Sequence, residues 1–180
     1  MGTPFNDRSF QTQGNHDAET LTYSALRSFH MDGNYAMLAI AFLSLEGALT
    51  WLAERGGPHR HQIQVHCAHP GTGVRDAIEY VTRAVTRGQF HLDKTLPLPR
   101  INPHADFAYA WELGDSAHRV RCQVLPGVLP NRFYELFGMA RRGEITDATH
   151  TELEQLKLDI EARVLLAAPQ DVVSFEQVST

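Results

Sequence analysis

A chain of 180 residues is long enough for one domain that buries roughly two thirds of its unfolded surface. Its 43% hydrophobic and 21% charged residues are those of an ordinary globular protein, and a net charge of −5 argues against a general binder of polyanions. Two cysteines, Cys67 and Cys122, are too few for a disulfide framework.

Fourteen of the sixteen cations are arginines, a bias that GC-rich, bacterial-type coding produces as readily as any need for forked donors. The first seventeen residues carry neither a basic n-region nor an apolar h-region, and Asn6 stands where a myristoylation signal wants Ser or Thr. These features predict a reducing, cytoplasmic setting.

Residues 1–16 are polar and predict a loose arm. Asp17 is placed to cap a first helix in which Leu21, Ala25 and Phe29 recur at helical spacing. A turn at Met31–Asn34 follows, then YAMLAIAFLSLEGALTWLA, Tyr35 to Ala53. That run has the length of a membrane span, yet Glu46 and Gly47 interrupt it and leave too short an uncharged part. It predicts a helix from about Asn34 to Arg55, apolar nearly all round and buried in the centre of the fold, with a stop at Gly56-Gly57-Pro58.

In HQIQVHCA, Ile63, Val65 and Cys67 alternate with Gln62, Gln64 and His66, the period of a half-buried strand. A Pro70-Gly71-Thr72-Gly73 turn leads into a helix from about Val74 to Arg87, with Ala77, Ile78, Val81, Ala84 and Val85 on its apolar side. Residues 89–106 hold three prolines and read as an extended connector with room for one short strand. Phe107–Leu113 and Arg119–Leu125 then predict a β-hairpin in which Phe107, Tyr109, Trp111 and Leu113 share the core face and Glu112 meets Arg119 or Arg121 across the strands.

The C-terminal part predicts two helices. Asn131–Arg142 carries Phe133, Leu136, Phe137 and Ala140 on one side and breaks at Gly143. A second, with Thr149 and Glu152 at capping-box spacing, carries Leu153, Leu156, Ile160 and Val164 and ends at Pro169. The expectation is a single α+β domain over 17–168. It has a small, mostly antiparallel sheet on the buried helix, a helical hairpin at 130–168 and a tail at 169–180.

No complete catalytic signature is present. His59, His61, His66 and His69 suggest zinc, but on a strand His61 and His69 lie ~26 Å apart and His66 points to the other face. A site drawn from several loops fits better: His69, His91, Asp93, His104, Asp106 and His118 include two His-x-Asp pairs, ligand types that a zinc- or manganese-dependent hydrolase uses. Gly71, Thr72 and Gly73 precede a helix N-terminus and are placed to hold an anion, but no lysine follows as in a P-loop, and the favoured reading is Thr72 as a plain N-cap with the glycines shaping a tight turn.

Cys67 and His66 project to opposite strand faces, so the histidine is no base for the thiol, and both cysteines read as small core residues. There is no G-x-S-x-G, and the acids of the last helix belong to its wet face. Arginines 75, 83, 87, 119, 121, 141 and 142 allow a local basic patch, without any nucleic-acid-reading motif. The leading expectation is therefore a non-enzymatic protein that acts by binding a protein partner or a second copy of itself, without cofactor. Its surface would be the terminal hairpin, where Phe133, Tyr134 and Phe137 concentrate aromatics and Leu158 and Leu165 lie off the main stripe.

Overall fold

The computed structural model describes residues 7–14 and 17–178. The chain opens with an antiparallel hairpin, β1 (Ser9–Gln13) and β2 (Ala18–Thr22), and continues into helices α1 (Tyr23–His30) and α2 (Tyr35–Ala53). A strand–helix–strand unit follows: β3 (Gln64–Cys67), α3 (Thr72–Thr82) and β4 (Phe90–Leu92). The hairpin β5 (Ala110–Gly114) and β6 (Arg119–Val124) leads to α4 (Asn131–Arg142) and α5 (Asp147–Leu166). A short helix α6 (Pro169–Val172) and strand β7 (Val173–Gln177) complete a single α+β domain.

Helix α2 is apolar on every side, and it is buried on nearly every side. Thirteen of its nineteen residues are buried, from Ala36 through Leu45 and then Ala48, Leu49 and Leu52. Helices α3 and α5, α1, and the inner face of the sheet at β6 and β7 all pack on it. The residues that interrupt its apolar run serve those contacts. Glu46 accepts two hydrogen bonds from the Arg8 guanidinium, at 2.9 and 3.1 Å. Gly47 makes room for β7, since a Cβ there would lie 2.3 Å from the Phe175 ring and 2.9 Å from Pro169.

The five-stranded sheet has the order β4-β3-β5-β6-β7, antiparallel except where β3 and β4 run parallel around the α3 crossover. Val65, Cys67, Trp111, Leu113, Val120 and Cys122 share the inner face of the sheet and are fully buried. Trp111 Nε1–H donates to Ser44 Oγ of α2 at 2.8 Å, which satisfies an indole buried where no water reaches. The registers place His91, His66, Glu112, Arg121 and Glu176 in one row across the opposite face. Arg121 donates twice to Glu112 Oε1 in that row, the cross-strand pair its alternation implies. Leu96 and Leu98 of the proline-rich connector cover the end of this face over Ala68, Ala108 and Ala110.

Several local expectations are corrected. Residues 9–13 of the supposed arm are strand β1, with Phe10 packed 5.1 Å from Phe42; residues 1–6 and 15–16 lie outside the described residues. Asp17 caps no helix. The first helix starts after Thr22, whose hydroxyl accepts from Ala25 N, because β2 uses the preceding residues for pairing. Helix α3 stops at Thr82 and not at Arg87: Arg83 adopts a left-handed conformation, and Thr82 Oγ1 accepts from Ala84 N. The final helix is capped by Thr146 with Thr149, one turn before the expected box. Residues 173–177 of the supposed tail pair with β6.

Ser44 offers a test of how firmly the sheet is bolted to α2. Ser44→Ala strands the buried indole N–H and is expected to lower unfolding free energy by about 1–3 kcal/mol in urea titrations, with unchanged m-value.

Candidate functional site

Most of the expected metal ligands stand apart. His91 lies on β4 with its ring 5.1 Å from that of His66. Asp93 accepts from the Thr95 N–H and hydroxyl. His104 sits on an exposed loop against Gly138 of α4, where a Cβ would meet its ring at 2.7 Å. Asp106 is clamped by Arg141 at 2.8 Å and Lys94 at 2.9 Å, and these two cations, Arg141 foremost, hold its carboxyl well below the usual range. His118 approaches Asp115 within its own hairpin loop. Among the described residues no three His, Cys, Asp or Glu side chains come together as a metal-holding group.

His69 stands in different surroundings. It follows β3, is 5% exposed, and packs edge-on against the rings of Phe107 and Tyr109, each 4.8 Å away. Its Nδ1 accepts the Gly71 N–H at 3.0 Å, which fixes the hydrogen of the neutral ring on Nε2. Burial pushes its pKa down to about 3, so the ring is neutral near pH 7.

This histidine lines a pocket of about 340 Å³, within the range of small-ligand sites. Phe107 and Tyr109 come from the stretch leading into β5, Phe133, Phe137 and Ala140 from α4, and Leu153 and Lys157 from α5. Asn34 and Met37 at the start of α2 complete it, with Pro70, Gly71 and Gly73 at the start of α3. Three sets of sequence candidates thus meet here: one histidine of the metal set, two glycines of the anion set and two aromatics of the partner set.

The remaining candidates are assigned elsewhere. Gly71, not Thr72, is the N-cap of α3, and the Thr72 hydroxyl donates to Asp32 Oδ2 at 3.2 Å. Tyr134 is buried beside Tyr109 and Phe133, with no hydrogen-bond partner for its hydroxyl among the described residues. Leu165, expected at the surface, is 5% exposed: α5 is covered by α2 along one side and α4 along another, so its apolar surface is wider than one stripe. Leu158 is 38% exposed.

The arginines are largely occupied. Arg121, Arg141 and Arg142 pair with Glu112, Asp106 and Glu144, and Arg87 donates to the Ile63 and Thr82 carbonyls. Both cysteines are buried, and burial raises Cys67 to about 12 and Cys122 further, which leaves them unreactive thiols. A wider depression of about 610 Å³ lies between β1, the end of α2 and residues 56–60, but its buried cation, Arg60, is paired with Glu19. The aromatic pocket is therefore the stronger site.

No protein-family model matches this chain, and no curated protein matches it in sequence.

The neutral state of His69 has a consequence for stability. The unfolded chain takes up a proton near pH 6.5 and the folded chain only near pH 3, so stability is full above pH 6.5 and falls as the pH drops toward 3. Urea unfolding between pH 7.5 and 4.5 should show this fall, with a slope smaller by up to one proton in His69→Gln. Equal slopes in the two proteins would contradict a buried neutral ring.

Proposed function

We propose that this protein works by binding, and that the aromatic pocket is its recognition site, occupied by a small molecule with an apolar body and at least one hydrogen-bond acceptor. The observation that carries this reading is His69: buried, locked in one tautomer by Gly71, and placed among aromatic rings as a fixed donor. Preformed apolar walls with a few placed polar groups are what a small-ligand site needs.

Catalysis has less support from the same lining. A ring whose pKa lies near 3 is a poor proton acceptor at neutral pH. The Tyr109 hydroxyl, buried and accepting from Asn102 Nδ2 at 2.9 Å, is pushed up to about 12. No serine, threonine, cysteine or carboxylate lines the pocket to serve as nucleophile.

A protein partner is the second reading. It draws on the exposed side chains Phe29, Met31, Leu158 and Leu166, while the aromatics once expected to anchor it, Phe133 and Tyr134, are buried. A chain acting through those exposed residues would bind with the pocket blocked.

Blocking is straightforward, because Ala140 lies at the exposed rim on α4. A library of aromatic and branched aliphatic fragments, followed by amide NMR, should shift Gly71, Gly73 and Phe137 together. Ala140→Trp should weaken those fragments at least tenfold with the fold intact. Fragments that bind only at the exposed Leu158 or Leu166, or bind Ala140→Trp unchanged, would remove the pocket reading.

A further inference from the structure

We infer that the pocket is built for an organic acid, its carboxylate held by His69 and the paired N-termini of α2 and α3 and its apolar body lying against Phe107, Phe133 and Phe137. This rests on the pocket being the binding site, and it adds the charge of the occupant.

Helices of nineteen and eleven residues begin at this one place. Each leaves its first amides without intrahelical acceptors and brings a partial positive charge of about half a unit. Neither helix carries an acid or a capping side-chain bond of its own at this end, and the nearest carboxylate, Asp32, lies on the outer, exposed side of the junction. Asn34 makes no side-chain capping bond for α2, the α3 N-cap is a glycine, and no acid stands in the first turn of either helix. The two ends are in contact: a Cβ on Gly73 would lie 3.0 Å from Asn34 O and 3.1 Å from Leu38 N. A side chain at 73 would press on the α2 backbone, so glycine here favours the close approach of α3 to α2.

The independent observation is the histidine. His69 is 95% buried by its 5% exposure, lines the pocket, and has a partner for Nδ1 but none for Nε2 among the described residues. Nε2 is not among the fully enclosed polar atoms, so this N–H is open to an acceptor that enters the pocket. A carboxylate oxygen is the acceptor that gains most, since the helix ends favour the same sign of charge. Lys157, with 16% of its side chain exposed, adds a cation at the wall, its Nζ 2.7 Å from Glu154.

The junction already holds one carboxylate at its surface. Asp32 accepts from the Gly33 N–H, the Thr72 hydroxyl and the Asn34 side-chain amide, and these bonds, that of Gly33 foremost, lower its pKa. Asp32 is exposed, whereas the inferred head group sits inward, at His69. A monocarboxylate suits this site better than a phosphate, because Lys157 is the sole lysine or arginine of the lining and is shared with Glu154.

Matched probes test the inference. 3-Phenylpropionate, 2-naphthoate and indole-3-acetate, each beside its primary amide, are titrated into the full chain by calorimetry and amide NMR. The acids should bind at least tenfold more tightly than their amides and shift Gly73. His69→Leu should abolish that preference and His69→Gln, which keeps a donor, should restore part of it. Should His69→Leu fail to fold, Lys157→Met on the partly exposed helix face reads the same preference, with an expected loss of threefold or more for acids and none for amides. Amides that equal acids while shifting the pocket amides would overturn the acid inference and leave the pocket standing. No pocket shift from any acid or amide would overturn both.

Discussion

A helix apolar on all sides has to be covered on all sides, and the rest of this fold follows from how α2 is covered. Lone amphipathic helices need one partner; α2 needs a sheet on one flank and helices on the others. Each fully buried Leu, Ile or Phe on it contributes on the order of 1.5–3 kcal/mol. The loss of any one cover would expose a strip of such residues. The polar groups that touch α2 are few and matched: Arg8 on Glu46, and the Trp111 indole on Ser44. Tyr23 and Arg27 of α1 meet on the Glu161 carboxylate of α5, a buried acid that two donors satisfy at 2.7 and 2.8 Å, so the covers are also tied to one another.

The pocket lies where that covering runs out. At its N-terminal end α2 passes beneath the start of α3, and α4 and α5 lean across from the other side without closing the gap. The same constraint that packs apolar side chains along α2 therefore leaves aromatic walls around a place where two helices begin. Apolar walls strengthen the field of the helix ends, because little water screens them. His69 adds a directional bond to a field that has none. Shape and charge at the site are thus consequences of burying one helix, with a glycine at 73 permitting the approach.

Period and composition made much of this legible. The all-round apolarity of Tyr35–Ala53 identified the centre, alternation identified β3 and the hairpin, and the 3.6-residue stripes identified both terminal helices. Both cysteines were placed in the core correctly. The elements that were not legible are those whose stability is borrowed. Strand β1, SFQTQ, has one large apolar side chain, and it is a strand because β2 and Phe42 are beside it. Strand β7 lies beyond a proline that ended the helical pattern, and its pairing with β6 is a long-range fact. The site was legible only in pieces. His69 was chosen as a loop ligand, the glycines as an anion turn and Phe133 and Phe137 as partner anchors, because sequence spacing carries no information about contacts between residues sixty or more positions apart. The signal that joined them is tertiary: α4 folds back over the β3–α3 turn. The surroundings of the His-x-Asp pairs were not legible for the same reason: Asp106 answers to Lys94 and Arg141, which lie on other segments.

A crystal structure of the full chain grown with 2-naphthoate reads directly where a bound ligand's head group lies. The expected result is a naphthyl ring between Phe107, Phe133 and Phe137, with a carboxylate oxygen within hydrogen-bond distance of His69 Nε2 and beside the first amides of α3. A naphthoate seated in the groove beside β1, or one in the pocket with its carboxylate turned out to solvent, would contradict it.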